Sequence, residues 1–353
     1  MIGVSSLEKS LLDLIEIDSP TGGEKALAVA LRGWLEEAGW RVRQEGLSLV
    51  ADRPQNGPPQ IGFFGHLDVV TDREMAPISV DETYIYGPGT CDMKGGLAVM
   101  LELARSLPEQ GLRAEPVLVF YDAEEGPIAD NGLAPLLDAF ADLSQLELGI
   151  CMEPTANQLQ LGCVGSLHVR LTVEGKAGHS ARPWEGDNAI TGAASLLAAL
   201  HRLEPRPSLH GGLTFFDTTT VTLAQGGKSR NSVPSSFQMN VNLRFVPGRS
   251  AQQTYDEFYA WVDGRAELEW LDDSASAEVA EMSPLLASLV QAGELQRQAK
   301  QAWTDVAQLD ERGIPGINFG PGDPAWAHQA GECIKRRDLA RSFEVVKRWL
   351  CVP

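Results

Sequence analysis

Residues 61–68 read Ile-Gly-Phe-Phe-Gly-His-Leu-Asp, a short apolar run that ends in a histidine, followed two positions later by an aspartate. A run of this length is typical of a buried strand in a parallel sheet. In open α/β sheets, ligands bind beyond the carboxyl ends of the strands, which is where His66 and Asp68 fall. The stretch therefore predicts an α/β fold with a functional site at one edge of a mostly parallel sheet.

The same arrangement recurs along the chain. Four further apolar runs each lead to acidic residues or a histidine: residues 84–86 to Asp92, residues 117–121 to Glu124 and Glu125, residues 148–152 to Glu153, and residues 314–319 to His328. Taken singly, an acidic turn is usually solvated, and an aspartate before a helix is often only its cap. Five such strand ends in one chain favour a convergent site instead. Imidazole and carboxylate ligands form a normal zinc sphere, and oxygen-rich spheres also accept Mn²⁺ or Co²⁺.

The middle of the chain has a different periodicity. Residues 167–174 and 237–245 alternate apolar and polar side chains, so each of these strands is expected to bury one face only. The predicted elements follow in the order β-α-β-β-α-β: residues 167–174, 188–203, 219–223, 237–245, 251–262 and 266–271. This order is that of a ferredoxin-like unit.

The length of 353 residues suits two domains rather than one. We expect a catalytic domain of the zinc-peptidase type from residues 1–163 and 274–353, and an inserted lid or dimerisation domain from residues 164–273. The chain has no apolar run long enough to span a membrane and its first residues lack a signal-peptide pattern, which predicts a cytoplasmic protein without membrane contact. The five scattered cysteines are expected to be free thiols.

The formal net charge of -19 excludes nucleic acid from the expected partners, because phosphate binding needs a basic surface. It also repels an anionic substrate, so metal ions or local arginines would have to attract one.

Four motifs carry a resemblance to a known family. They are Gly-His-Leu-Asp-Val-Val at 65–70, Gly-Thr-Cys-Asp-Met-Lys-Gly-Gly at 89–96, Glu-Glu-Gly at 124–126 and Cys-Met-Glu-Pro-Thr at 151–155. These segments resemble the signatures of the two-zinc aminoacylase/carboxypeptidase superfamily, and the resemblance extends over essentially the whole chain, the inserted domain included.

The resemblance implies two Zn²⁺ ions per subunit, with Co²⁺ or Mn²⁺ as alternatives. The implied metal ligands are His66, Asp92, Glu125, Glu153 and His328. Asp92 would bridge the metals, and Asp68 would orient His66 from behind. Glu124 would act as the general base toward water and then deliver the proton to the leaving amine. The metals would activate that water and polarise the scissile carbonyl.

In the inserted domain, the resemblance assigns roles to three residues. It implies a homodimer through this domain, in which His179 enters the partner's active site and stabilises the oxyanion. It implies that Asn231 reaches toward the substrate and that Arg244 contacts a substrate carboxylate. The alternatives are a polar loop at a sheet edge for His179 and Asn231, and a solvated arginine for Arg244.

The segment around Ala302-Trp303-Thr304-Asp305-Val306-Ala307 resembles desuccinylases of the actinobacterial type, which implies a small anionic acyl-amino-acid substrate. The expected reaction is hydrolysis of N-succinyl-LL-2,6-diaminopimelate to succinate and LL-2,6-diaminopimelate, with Thr304 among the substrate contacts. Gln308 departs from the pattern, since that type usually has an arginine there. Acetylornithine deacetylase and metallo-carboxypeptidase or dipeptidase activities are the enzymatic alternatives. A non-catalytic metal-binding scaffold is less favoured, because it would have no need of Glu124.

Overall fold

A computed structural model describes residues 3–71 and 77–351. Contacts divide the chain into two compact units. The first comprises the residues up to Leu161 together with Ala280–Gln298 and the segment from Gln308 onward, and the second comprises Gly162–Val279 and Ala299–Ala307. Residues 299–307, which the sequence analysis assigned to the catalytic domain, thus belong to the second unit. The functional roles of the two units stay predictions.

The chain contains eighteen described strands and ten described α-helices. The strands are β1 (Arg41–Glu45), β2 (Ser48–Asp52), β3 (Ile61–His66), β4 (Ser79–Val80), β5 (Tyr84–Tyr86), β6 (Pro116–Tyr121), β7 (Leu148–Cys151), β8 (Leu159–Leu161), β9 (Gly165–Glu174), β10 (Gly178–His179), β11 (Arg206–His210), β12 (Leu213–Gly226), β13 (Ser232–Val233), β14 (Ser236–Phe245), β15 (Glu267–Ser274), β16 (Arg297–Ala299), β17 (Gly316–Asn318) and β18 (Cys333–Lys335). The helices are α1 (Ser6–Ile15), α2 (Lys25–Glu37), α3 (Lys94–Ser106), α4 (Leu133–Ala139), α5 (Ala189–Gly192), α6 (Ala194–His201), α7 (Ala251–Val262), α8 (Pro284–Gly293), α9 (Val306–Asp310) and α10 (Arg336–Cys351). In the described ranges, no helix combines the length and the apolar character needed to span a membrane.

The first unit contains an eight-stranded sheet in the order β1-β2-β6-β3-β7-β17-β8-β16. Its centre is parallel, since β3 pairs with both β6 and β7, and β17 pairs with β7, all in the parallel sense. Strands β1, β2 and β8 pair antiparallel toward the edges. Every residue of β3, β6 and β7 is buried, as their continuous apolar sequences predict. The carboxyl ends of these parallel strands meet at one edge of the sheet.

Strand β5 does not belong to this sheet. It lies in a separate three-stranded antiparallel sheet, between β18 and β4. The five strand ends that the sequence predicts to converge on one site therefore come from two sheets, because β5 lies outside the parallel sheet. The physical reason is that β5 has only three residues, and its two tyrosines are only partly buried, so it lacks the length and apolar character of a central strand.

The loop after β5 nevertheless approaches the central sheet closely, because two glycines begin α3. A Cβ atom on Gly96 would lie 2.3 Å from the carbonyl oxygen of Met152, at the end of β7, and one on Gly95 would lie 2.7 Å from that of Thr90. Larger residues would clash with backbone at both positions. Gly96 thus lets the first turn of α3 lie against the carboxyl end of β7, and Gly95 lets the preceding loop, which includes Asp92, fold closely onto that turn.

The second unit contains a five-stranded antiparallel sheet in the order β11-β12-β14-β9-β15. Strands β12, β14, β9 and β15 with helices α5 to α7 form the predicted ferredoxin-like arrangement, so the predicted fold class is confirmed. Two details differ. β12 is longer than predicted and forms a hairpin with an additional edge strand, β11, and the helix predicted over residues 188–203 is divided into α5 and α6.

The alternation predicted for the second unit is also present. Leu167, Val169 and Leu171 on β9 are fully buried in the core of this unit, while the polar residues between them lie on the other face of the sheet. All five cysteines of the chain are free thiols, as predicted.

Candidate metal centre and active site

Five imidazole and carboxylate side chains converge at the carboxyl edge of the central sheet. They are His66 at the end of β3, Asp92 before α3, Glu125 after β6, Glu153 after β7 and His328 after β17. Ligand atoms of His66, Asp92 and Glu153 lie within 4.8 Å of one another, and so do those of Asp92, Glu125 and His328. Asp92 is the member common to both groups, so the five residues form two ligand sets that share one carboxylate.

The two carboxylate oxygens of Asp92 face different histidines. Oδ1 lies 3.2 Å from Nε2 of His66, and Oδ2 lies 3.5 Å from Nε2 of His328, which is also 2.8 Å from Oε1 of Glu125. One carboxylate between two imidazoles is what a bridge between two metal ions requires. Histidine nitrogen and carboxylate oxygen are also the usual protein ligands of zinc. The residues present therefore fit a pair of metal ions.

Asp68 contacts both the His66 imidazole and the turn that carries Glu124 and Glu125. Nδ1 of His66 lies 3.0 Å from the Asp68 carbonyl oxygen and 3.4 Å from its Oδ1, which directs Nε2 toward Asp92. The fully buried Asp68 carboxylate also accepts hydrogen bonds from the backbone N–H groups of Glu124 and Glu125, both at 3.0 Å, and from Oγ1 of Thr21 at 2.9 Å. Asp68 thus orients a histidine and the turn that carries both glutamates.

Glu124 is the first of the two glutamates in the same turn, and its side chain lies next to the ligand cluster. One of its carboxylate oxygens is within 4.8 Å of ligand atoms of His66 and Glu125. Since its backbone N–H is held by Asp68, the position of Glu124 beside the centre is fixed by a buried group. A carboxylate at this place can exchange a proton with a water molecule at the metals.

His66 and His328, the two histidines of the centre, both have raised pKa values in the metal-free protein. Hydrogen bonds to Asp92 and Glu125 raise the pKa of His328 to about 10. Burial acts to lower the pKa of His66, but its hydrogen bonds to Asp68 and Asp92 raise it well above the usual value. Burial acts to raise the pKa of Asp92, yet its hydrogen bonds from the two histidines hold it below the usual range. Both imidazoles therefore bind protons in the metal-free protein, and metal ions would have to displace these protons.

In the second unit, His179 is the last residue of β10, and Asn231 immediately precedes β13. β10 pairs with β13, and the Asn231 carbonyl oxygen accepts a hydrogen bond from the N–H of Ser180 at 3.1 Å. Nδ1 of the exposed His179 accepts from the N–H of Ala181 at 3.1 Å. In a neutral imidazole the other nitrogen then carries the proton. His179 is thus held as an Nε2 donor.

Arg244 and Thr304 lie elsewhere in the second unit, both near the buried Cys163. Nε of Arg244 donates to Oδ1 of Asn242 at 2.9 Å, and burial lowers the pKa of this arginine. No ion pair joins Arg244 to a carboxylate within residues 3–71 and 77–351. The Thr304 hydroxyl is buried and has no hydrogen-bond partner in the described structure.

The sequence analysis did not identify two residues that contact the centre. Thr21 donates a hydrogen bond to Asp68, and the Glu332 carboxylate accepts one from the backbone N–H of Asp92. Glu332 follows His328 by four positions, which is its only signal in the sequence.

Comparison with known proteins places these features in a family. The profile of Peptidase family M20/M25/M40 matches residues 62–351. A Mycobacterium tuberculosis protein described as a putative succinyl-diaminopimelate desuccinylase is 33% identical over 342 residues, which cover 96% of each chain. The succinyl-diaminopimelate desuccinylase of Corynebacterium glutamicum is 30% identical over 348 residues, covering 96% of this chain and 94% of that protein.

Among solved structures, a Staphylococcus aureus tripeptidase has the same fold, with a TM-score of 0.79 at 20% identity over 100% of this chain and 99% of its own. The resemblance inferred from the four motifs is confirmed by the profile and by the relatives. The chain belongs to peptidase family M20/M25/M40 and is a metal-dependent amidohydrolase.

Proposed function

We propose that this enzyme hydrolyses the amide bond of N-succinyl-LL-2,6-diaminopimelate, releasing succinate and LL-2,6-diaminopimelate, in diaminopimelate and lysine biosynthesis. The observation that carries the catalytic part is Asp92 between two histidines, with Glu124 on the adjoining turn. The substrate is supported by the desuccinylase relatives, which match over nearly the full chain. The expected cytoplasmic location is part of this proposal.

Two Zn²⁺ ions per subunit are proposed as the cofactor. His66, Asp92 and Glu153 would hold one ion, and Asp92, Glu125 and His328 the other. When bound, such a pair acts as a Lewis acid toward the scissile carbonyl and lowers the pKa of water. Metal analysis of the purified protein distinguishes zinc from Co²⁺ or Mn²⁺.

Three side chains of this protein are proposed to have separate roles in the reaction. Glu124 takes a proton from the attacking water and delivers it to the leaving amine, a role that needs one carboxylate close to both atoms. Asp68 keeps His66 oriented and holds the Glu124 turn by hydrogen bonds at 3.0 Å. The Nε2–H of His179 is proposed to stabilise the oxyanion as a preorganised donor.

The second unit is proposed as the lid and dimerisation domain of a homodimer, with His179 acting in the partner's site. The support is an open sheet edge. β11 covers only residues 213–217 of β12, and residues 218–226 have no strand on that side among the described residues. Leu223 on this edge is 70% exposed. An exposed edge with an apolar side chain is a surface on which a second strand pairs.

Arg244, Thr304 and Asn231 are proposed to bind the substrate. The partly buried Arg244 has no acidic partner within the described structure, in a chain with a net charge of -19. A planar guanidinium pairs with a carboxylate through two hydrogen bonds, and a succinyl group offers such a carboxylate. The buried Thr304 hydroxyl is a neutral donor for the same kind of ligand.

The test compares kcat/KM for N-succinyl-diaminopimelate and N-acetylornithine on one zinc-loaded preparation. The acetyl group lacks the terminal carboxylate, so the buried donors would be left unpaired, and we expect the succinyl substrate to be preferred by about 10²-fold or more. Equal or better hydrolysis of acetylornithine would show that the substrate is wrong while the family assignment stands.

The same assay tests Arg244. Arg244→Lys should raise KM for the succinyl substrate, because lysine cannot reproduce the planar two-bond contact. Arg170→Lys is the matched control, since Arg170 lies on the same sheet face but is paired with Glu269. A KM for Arg244→Lys that equals that of the control would remove Arg244 from the binding site.

A further inference from the structure

Glu332 is a buried glutamate outside the set of metal ligands. Its side chain is 2% exposed, and it follows His328 by four residues, immediately before β18. Its carbonyl oxygen accepts a hydrogen bond from the N–H of Gly87 at 3.2 Å. Backbone and side chain of Glu332 therefore both lie against the loop that leads from β5 to Asp92.

The Glu332 carboxylate binds three backbone N–H groups of that loop. Oε2 accepts from Gly89 at 2.9 Å, and Oε1 accepts from Cys91 at 2.9 Å and from Asp92 at 3.0 Å. The loop turns its N–H groups toward one point because Gly89 has a φ of +72°, which favours glycine. Successive N–H groups arranged in this way form a concave anion-binding site, and here the anion is a side chain of the same protein.

Among the described residues no ion pair joins Glu332 to a cation, so the hydrogen bonds from these amides hold its carboxylate. The nearby Lys94 donates its Nζ to the Ile17 carbonyl oxygen at 2.8 Å. A buried carboxylate is costly unless hydrogen bonds replace its water, so three donors on two oxygens fix both the carboxylate and the loop. The last of these donors is the N–H of the residue that faces both histidines.

We propose that Glu332 is a positioning residue that fixes Asp92 between the two metal ions and links it to His328. One short segment then sets two of the three ligands in the group formed by Asp92, Glu125 and His328. The inference rests on the metal centre of the proposed function, but it does not depend on the substrate. Outer contacts usually control metal affinity by orienting a histidine ligand, whereas Glu332 would do so by accepting hydrogen bonds from the backbone N–H groups of the loop that carries Asp92.

Glu332→Gln tests the role with little change of shape. An amide oxygen can still accept from Cys91 and Asp92, but the NH₂ group would then face the N–H of Gly89, donor against donor. Loss of an outer contact typically lowers metal affinity about 10- to 100-fold. We expect a loss of this size for the more affected zinc ion, and a changed visible absorption spectrum when Co²⁺ is bound. Glu332→Asp keeps the charge but is too short to reach all three N–H groups, so it should show the same loss.

Zinc affinity is measured by competition with a chromophoric chelator, and thermal unfolding is followed in metal-free and zinc-loaded samples. The matched control is Glu115→Gln, which also removes one acidic group of this unit but lies next to the start of β6, at the other end of the strand. Metal-free Glu332→Gln should unfold close to the parent temperature, while its zinc-induced rise in Tm should be smaller.

The outcomes separate the possibilities. Parental zinc affinities and Co²⁺ spectra in both Glu332 variants would overturn the proposal. Loss of the metal-free fold in both variants would also overturn it, since Glu332 would then be a structural residue. A parent protein that binds no second metal would remove the metal centre of the proposed function itself. A further outcome is that the parent binds two zinc ions tightly and the Glu332 variants lose zinc affinity as expected, but the parent hydrolyses the succinyl substrate only weakly. This result would contradict the proposed substrate and leave the role of Glu332 intact.

Discussion

At the scale of single residues, the adjacent Glu124 and Glu125 differ in the groups that lie near their carboxylates. The Glu125 carboxylate lies 2.8 Å from Nε2 of His328, within a ligand group. Glu124 precedes it, and its own ligand atom lies near His66 and Glu125. Because Asp68 binds the backbone N–H of both residues, changing either side chain leaves the turn in place. The proposed roles, general base for Glu124 and metal ligand for Glu125, can therefore be separated by substitution.

Glu124→Gln should keep the fold and the metal content while lowering kcat by about 10²–10⁴-fold, since an amide cannot accept the proton of water. Glu125→Gln is the matched comparison, because it should lower zinc content as a lost ligand would. The measurements are steady-state kinetics and metal analysis on the same samples. A Glu124→Gln enzyme with near-parental kcat would exclude Glu124 as the general base.

That the proposed metal ligands lie close together could be predicted, because each follows a recognisable apolar strand or glycine-rich motif. Thr21 and Glu332 could not, because their contacts run to Asp68 and to backbone N–H groups far away in sequence. Such contacts depend on tertiary structure and leave no local pattern. Gln308 is 5% exposed in α9, so the departure from an arginine occurs at a buried position. Its effect on specificity stays a prediction.

At the scale of elements, α1 is fixed at its first turn by Glu8. Ser5 and Glu8 form a capping box, with the Ser5 N–H donating to Glu8 at 2.7 Å. The same carboxylate binds Arg336 at the start of α10. Burial acts to raise the pKa of Glu8, but the hydrogen bonds from Arg336 and Ser5 lower it. This one side chain links the first and last helices of the chain.

The sign of the pH dependence follows from that lowered pKa. The contribution of Glu8 to stability is fully present above the pKa of the unfolded state, about 4.3, and is lost as pH falls through the folded-state value. Glu8→Gln should reduce the free energy of unfolding by about 1–2 kcal/mol at pH 7, and the difference from the parent should shrink below about pH 4. Urea unfolding of metal-free protein at both pH values measures it.

Glu16→Gln, an exposed position just past the end of the same helix, is the control and should change stability by less than about 0.5 kcal/mol. A difference for Glu8→Gln that stays constant with pH would mean that the Glu8 charge does not contribute.

Elements with a clear period were predicted with nearly correct bounds, as for α7, β9 and β14. The prediction failed where an element depends on a partner. β11 reads as a polar segment, with an exposed or half-buried residue at every position, and is a strand only because it pairs with β12.

At the scale of the whole molecule, the net charge of -19 repels an anionic substrate. Under the proposed function, substrate binding would rest on local positive groups, namely the two proposed metal ions and Arg244. Of the residues proposed for the second unit, His179 is exposed and held as an Nε2 donor by its own loop. An exposed donor of this kind can bind an acceptor on another surface, and the proposed homodimer would bring one to it.

The homodimer is tested by mixing two inactive variants, His179→Ala and Glu124→Gln, under conditions that allow subunit exchange. If His179 acts in the partner's site, a mixed dimer contains one site with intact Glu124 and intact His179, and one site that lacks both. With equal and random exchange, half of the dimers are mixed and half of their sites are complete, so about one quarter of parental activity should return.

The control mixture combines His179→Ala with the double variant Glu124→Gln/His179→Ala, in which no complete site can form, and it should stay inactive. Subunit exchange is established independently with subunits that carry two different fluorescent labels. Exchange without recovery would place His179 in a cis or structural role, and a monomer in sedimentation would exclude the dimer. Recovery near one quarter, absent from the control mixture, would require that each active site takes Glu124 from one subunit and His179 from the other.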